Sequence, residues 1–248
     1  MSPTRDVPRA SFKTAAWAAL LLALLAVLGI RAGDAGAVAA TVLGQGQERT
    51  KPTCPDKNCQ ATGSVSGFQM SIKGKQGLFK VPSGGHLVAW SIELADPDPF
   101  SRDFFEENLT RKRYGGDPYA RIGVLQQADG KAPNRFKLTK QSPAVSLKDN
   151  LGETPIFTLA NPLRVKKDQV VVLSVPTWAT NFVAGDDSEA KWRASRDPDK
   201  CDLSPGHEDN LQASRPHMRV GTTREYGCRY SGERLLYHAY YVPNRSGN

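Results

Sequence analysis

Residues 163–175 read Leu-Arg-Val-Lys-Lys-Asp-Gln-Val-Val-Val-Leu-Ser-Val, and their pattern decides the fold class. Over 163–166 apolar and cationic residues alternate, which puts Leu163 and Val165 on one side of a half-exposed strand and Arg164 and Lys166 on the other. Lys167-Asp168-Gln169 interrupts the run. The next residues, 170–173, are apolar at every position, as expected of a central strand covered on both faces. Working outward, 87–94 repeats the period of two: Val88, Trp90, Ile92 and Leu94 alternate with Leu87, Ala89, Ser91 and Glu93. Similar short β-prone runs occupy 64–72, 78–81, 120–126, 136–141, 156–159 and 235–242, separated by Gly, Pro and Asp. The spacing predicts an all-β protein, an antiparallel β-sandwich or jelly roll formed by one domain over 61–248. A short helix is expected only at 101–109, with Ser101 as its N-cap. Two segments, 95–119 and 179–226, are long and weakly patterned, and loops of that length are usually functional or mobile.

The remainder of the 248-residue chain sets the context. Charged residues make up 23% and apolar residues 39%, which excludes a polytopic membrane protein and a fully disordered chain. The first 40 residues differ from the rest. Arg5, Arg9 and Lys13 precede an apolar run over 15–30 that would span about 24 Å as a helix, short of the roughly 30 Å hydrocarbon core. Ala37-Val38-Ala39-Ala40 comes next, with the small-residue pattern of a cleavage site. A cleaved secretory signal over 1–40 is the expectation, with an uncleaved anchor as the alternative and the only route to a membrane. Residues 41–248 are mildly basic, too mildly for a nucleic-acid binder. The stretch 41–60 is polar and holds few apolar side chains to bury.

Cys54, Cys59, Cys201 and Cys228 all lie beyond the expected cleavage point. An even number in an exported chain reads as two disulfides. Three pairings are possible, and proximity in sequence favours Cys54 with Cys59 and Cys201 with Cys228. The spacing does not match structural zinc motifs, and no metal or other cofactor is expected.

The runs VPSGGHLVAWSIEL at 81–94, FTLANPLRVKKDQVVVLSVPTWATNF at 157–182, KWRASR at 191–196 and RLLYHAYYVP at 234–243 resemble a group of uncharacterised exported bacterial β-proteins. The resemblance implies an extracytoplasmic β-sandwich and no activity.

Catalytic chemistry is weakly signalled. No Gly-x-Ser-x-Gly elbow occurs, although His86, His207, His217 and His238 leave a dispersed triad open. Asp96, Asp98, Asp103, Glu106 and Glu107 share an EF-hand loop's length but not its glycine, and a wider calcium site would draw on Asp186, Asp187 and Glu189. The set His207, Glu208, Asp209 and His217 has no known metal spacing. Sugar recognition needs aromatic faces flanked by hydrogen-bonding polar groups. The best set is Trp178 and Asn181 in PTWATN with Trp192, Arg193 and Arg196 in WRASR. The competing expectation is that both tryptophans are packing anchors. The functional expectation is a secreted, non-catalytic binding module for a polysaccharide or another cell-envelope ligand. The alternatives are a secreted polysaccharide hydrolase and a purely structural envelope protein.

Overall fold

The computed structural model describes residues 40–45, 50–56, 59–128, 133–185, 189–201 and 215–245. Apart from Ala40, the expected leader lies outside them, as do Asp186, Asp187 and the 207–209 group. Fifteen strands and one α-helix organise the described residues. In chain order the strands are β1 (Thr41–Leu43), β2 (Thr62–Ile72), β3 (Lys75–Gln76), β4 (Gly85–Ile92), β5 (Tyr119–Gln127), β6 (Arg135–Gln141), β7 (Val145–Ser146) and β8 (Ile156–Val165). They continue as β9 (Val170–Ala179), β10 (Phe182–Ala184), β11 (Lys191–Ala194), β12 (Thr223–Glu225), β13 (Cys228–Ser231), β14 (Glu233–Leu235) and β15 (Tyr237–Pro243). The helix, α1 (Pro99–Asn108), lies between β4 and β5.

The strands form a large antiparallel sheet of order β12-β6-β5-β9-β2-β11-β13 and a small one of order β1-β15-β4-β8, with β10 and β14 paired separately. The two larger sheets share one core. Leu87, Trp90 and Ile92 of β4 and Tyr237, Ala239 and Tyr241 of β15 meet Ile122 and Val124 of β5, Val171, Leu173 and Val175 of β9, and Trp192 of β11. The fold is an all-β sandwich. Tyr237 ties the layers together: its ring stacks on Phe79 at 4.1 Å and its hydroxyl donates to the Val171 carbonyl at 3.1 Å.

β9 is central, and it is covered twice. Val171 and Leu173 belong to the sandwich core, while Val172 faces outward into a second cluster with Phe68, Leu125, Phe136, Leu138 and Tyr226. The chain over 215–226 lies over this outer face. Beneath it runs a polar seam: the Ser66 and Ser174 hydroxyls are 2.6 Å apart, the His217 amide donates to Ser66 Oγ at 2.8 Å, and Ser195 Oγ donates to the Arg215 carbonyl at 2.9 Å. His217 Nε2 lies 3.0 Å from the Thr222 carbonyl, which can only accept, so the ring proton sits there. Burial, together with the Arg224 charge and against the Thr222 bond, lowers the His217 pKa to about 4.

Several expectations are corrected. The 179–226 segment contains β10, β11 and β12, so it builds sheet rather than a loop. Thr41–Leu43, read as part of a polar tail, adds an edge strand to β15 and buries Leu43. The helix begins earlier than predicted: Asp98 is the N-cap and accepts from the Ser101 amide at 3.1 Å, with Pro99 opening the first turn. The alternation in β4 changes phase. Its pairing with both β8 and β15 shifts at Val88, so Leu87 and Trp90 both face the core while Val88 stays half-exposed. The runs at 156–159 and 163–165 are one edge strand, in which 159–162 bow out of register and Pro162, having no N–H to pair, sits inside the bow. The 78–81 run contributes a single bridge, Lys80 to Val170, rather than a strand.

Both disulfides join neighbours in sequence, Cys54 with Cys59 and Cys201 with Cys228. They mark an oxidising environment. Among the described residues no helix is long and apolar enough to cross a membrane.

The outer cluster makes a specific stability claim. Leu125→Ala is expected to cost about 2–5 kcal/mol in urea unfolding, as for any sealed leucine. A cost under about 0.5 kcal/mol, normal for a solvated sheet face, would mean that the 215–226 cover does not hold.

Candidate functional site

The five residues anticipated as a ligand surface are spread over four environments. Along β2, Trp178 is registered opposite Gly63 from one side and Trp192 opposite Gln69 from the other. The intervening strand spans on the order of 20 Å. Trp178 is fully buried, in a cluster with Phe105 of α1 and Leu109, and its indole N–H donates to the Gly116 carbonyl at 2.6 Å. Gly116 is obligatory for this contact, since a Cβ there would collide with the Glu106 carbonyl oxygen. The Trp178 ring therefore anchors α1 and offers no face to a ligand. Asn181 lies in the turn between β9 and β10, where its carbonyl accepts from the Leu236 amide at 2.9 Å. Its side-chain amide is fully buried and has no hydrogen-bond partner among the described residues.

Trp192 and Arg193 are consecutive in β11 and so point to opposite faces. Arg193 turns outward and donates to the Tyr226 carbonyl at 2.9 Å. Trp192 turns inward, over Gly67, where a Cβ would come within 2.7 Å of the indole. Arg196 lies beyond the end of β11, two alternations on from Trp192, and so lies on the Trp192 side.

Around Trp192 a mixed aromatic and charged cluster forms. Tyr230, its register partner on β13, stacks on it with ring centres 4.9 Å apart. The Arg196 guanidinium donates to Tyr230 Oη at 2.9 Å and lies 5.8 Å from the ring centre. Glu233 accepts the Trp192 indole N–H at 2.8 Å. The chain reaches Glu233 by leaving the large sheet at Gly232, where it crosses from β13 to β14. Behind the cluster, buried Gln69 donates to the Lys191 carbonyl and accepts the Leu235 amide, fixing β14 against β2. Trp192 is nearly buried, whereas Tyr230, Arg196 and Glu233 are half-exposed. Burial raises the Glu233 pKa, opposed by the Trp192 N–H and the Arg196 charge. A flat ring, a forked donor and a carboxyl group thus share one edge, a combination suited to a polyhydroxyl ligand.

Sequence reasoning overlooked Glu233. Its residue type carries no signal, and only the crossover at Gly232 brings it to Trp192. Tyr230 was visible only as one of several tyrosines; the others disperse, Tyr226 to the outer cluster and Tyr237 and Tyr241 to the core.

Other chemistries find little support. Among the described residues no group of three or more His, Cys, Asp or Glu side chains is placed to hold a metal ion. The acids at 96–107 are dispersed: Asp96 pairs with Arg102 at 2.6 Å, Asp98 caps α1, and Asp103, Glu106 and Glu107 lie along the helix. Among the described residues no histidine ring nitrogen bonds a serine hydroxyl; His217 faces Tyr226 and Thr222. Compared with known proteins, the chain matches no family model, no curated protein and no solved structure.

Glu233 provides a test of the cluster's electrostatics. Its folded pKa lies above the unfolded one, so its stabilising contribution is complete at low pH and is lost as pH rises through the raised value. Glu233→Gln keeps an acceptor for the Trp192 N–H. It is expected to gain thermal stability relative to wild type as pH climbs from about 4 to about 7. A difference that stays flat across that range would show the carboxylate to be well solvated.

Proposed function

We propose that the protein is an exported, non-catalytic binding module that recognises a polysaccharide of the cell envelope or its surroundings. The observation that carries this reading is the cluster at Trp192, where half-exposed Tyr230 rests on a buried indole and is flanked by Arg196 and Glu233. Sugar rings present C–H faces to aromatic rings and hydroxyls to charged forks, and this edge offers both. A rigid backing ring lowers the entropy lost when a ligand settles on Tyr230.

Export is supported by two features. The first strand begins at Thr41, directly after Ala37-Val38-Ala39-Ala40, so cleavage there leaves every described strand whole. The two disulfides belong in an oxidising compartment. Intact-mass measurement of material recovered outside the cytosol should give a chain beginning at Thr41; full-length protein retained in the cytosol overturns the export reading.

Ligand binding is tested by retention on insoluble cell-wall and plant polysaccharides. Tyr230→Ala is expected to weaken retention by about three- to tenfold, the worth of one aromatic stack. Trp178→Phe, altered only in the anchor beneath α1, should bind as wild type does. If no polysaccharide retains the wild type, the reading is lost. Release of reducing ends, abolished in Glu233→Gln, would instead make the protein a hydrolase with Glu233 as its acid.

A further inference from the structure

The outer face of the large sheet carries a second concentration of charge. Arg121 of β5 is registered opposite Ser174 and is only 7% exposed. Among the described residues its guanidinium bonds the Tyr114 hydroxyl, Nη2 to Oη at 2.5 Å, forms no ion pair, and leaves Nε without a partner. An arginine cannot shed its proton, so burial leaves a full charge in a poor solvent without a counter-charge. That arrangement is costly in a free protein and is relieved by an anion.

One further arginine, Arg113, acts on it directly. The exposed Arg113 guanidinium lies 5.6 Å from the centre of the Tyr114 ring. Arg111 opens the same tight turn, bridged to Gly115, and lies within electrostatic reach of Arg215 and Arg224. Those two come from the 215–226 cover, where Arg224 Nη1 donates to the Arg215 carbonyl at 2.7 Å. Burial comes first, and like charges add to it, in lowering the pKa of Arg111; burial also leads for Arg121 and Arg224. Asp197 is the acid that acts on Arg224 in the opposite sense. Arg113 and Arg215 are exposed, whereas Arg121 is buried.

We infer that Arg121, Tyr114 and Arg113 form a binding site for an oxyanion carrying more than one negative charge, with a phosphoryl group as the type ligand, and that Arg111 in the same turn adds positive charge beside it. Guanidinium forks match phosphate oxygens two at a time, and two arginines about one phenol exceed what a single carboxylate would need. This site is independent of the sugar-binding reading. It lies on the outer face of the sheet, with Arg193 and Ser195, whereas Trp192 belongs to the inner one.

The test is thermal unfolding of the disulfide-intact protein with inorganic phosphate or pyrophosphate against chloride at matched ionic strength, since a ligand that binds only the folded state raises its melting temperature. Wild type should show a saturable increase, larger for pyrophosphate. Arg113→Gln and Arg121→Gln should each weaken the apparent affinity by about tenfold, as expected for loss of one charge-assisted hydrogen bond. Lys75→Gln, an exposed control on β3, should leave it unchanged. Because Arg113 is exposed, its variant remains informative even if Arg121→Gln folds poorly. The proposal is overturned if phosphate does no more than chloride, or if Arg113→Gln responds as wild type does. Inorganic polyphosphate separates the possible sources: greater potency per phosphate assigns a polymeric ligand, and equal potency assigns a free phosphoryl group.

Discussion

A strand that opens with four consecutive apolar residues must be covered on both faces, and this constraint on β9 organises the protein. Val171, Leu173 and Val175 are covered by the small sheet, which makes the sandwich. Val172 points the other way and requires a second cover. The chain supplies it by laying 215–226 across the outer face, where Tyr226 completes the apolar patch and the Ser66–Ser174–Ser195 seam sets the register. The polar seam gives the cover one position; the apolar cluster gives it energy. The Cys201–Cys228 bond holds the start of the intervening segment to β13, which shortens the loop that has to close.

The fold class was legible because sheet periodicity is local. Each strand of the sandwich writes its own burial into alternate residues, and β9 writes double burial into consecutive ones. What was lost depended on neighbours. The bulge at Val88 is set by where β8 and β15 slip against β4, and no pattern within 87–94 records it. The strands at 182–184, 191–194 and 223–225 are too short to show a period and exist because a partner edge waits for them. Thr41–Leu43 is likewise stabilised by pairing with β15 more than by its own composition.

The candidate site divides along the same line. Of the aromatic and basic residues near 178–196, Trp192 and Arg196 come together, but alternation sends Arg193 to the opposite face and packing under α1 seals Trp178. Glu233 and Tyr230 join through the crossover at Gly232, a tertiary event. The outer arginines were hidden for a related reason. Arg111 comes within reach of Arg215 and Arg224 from a distant part of the chain, and net charge alone does not reveal such approaches. The large sheet thus carries two chemically distinct faces, one aromatic with a half-exposed acid beside it and one cationic, separated by the thickness of a single layer.

The small sheet ends at β8, and the form of that border governs how copies of the chain behave when crowded. Pro162 and the displaced 159–162 stretch leave no long, regular row of amide donors for an incoming strand to read. Arg164 and Lys166 place positive charge beside it, so a second copy approaching edge-on meets repulsion as well as missing donors. Fibril-like growth by strand addition is blocked at this border, so crowding of the chain does not by itself lead to polymerisation through it.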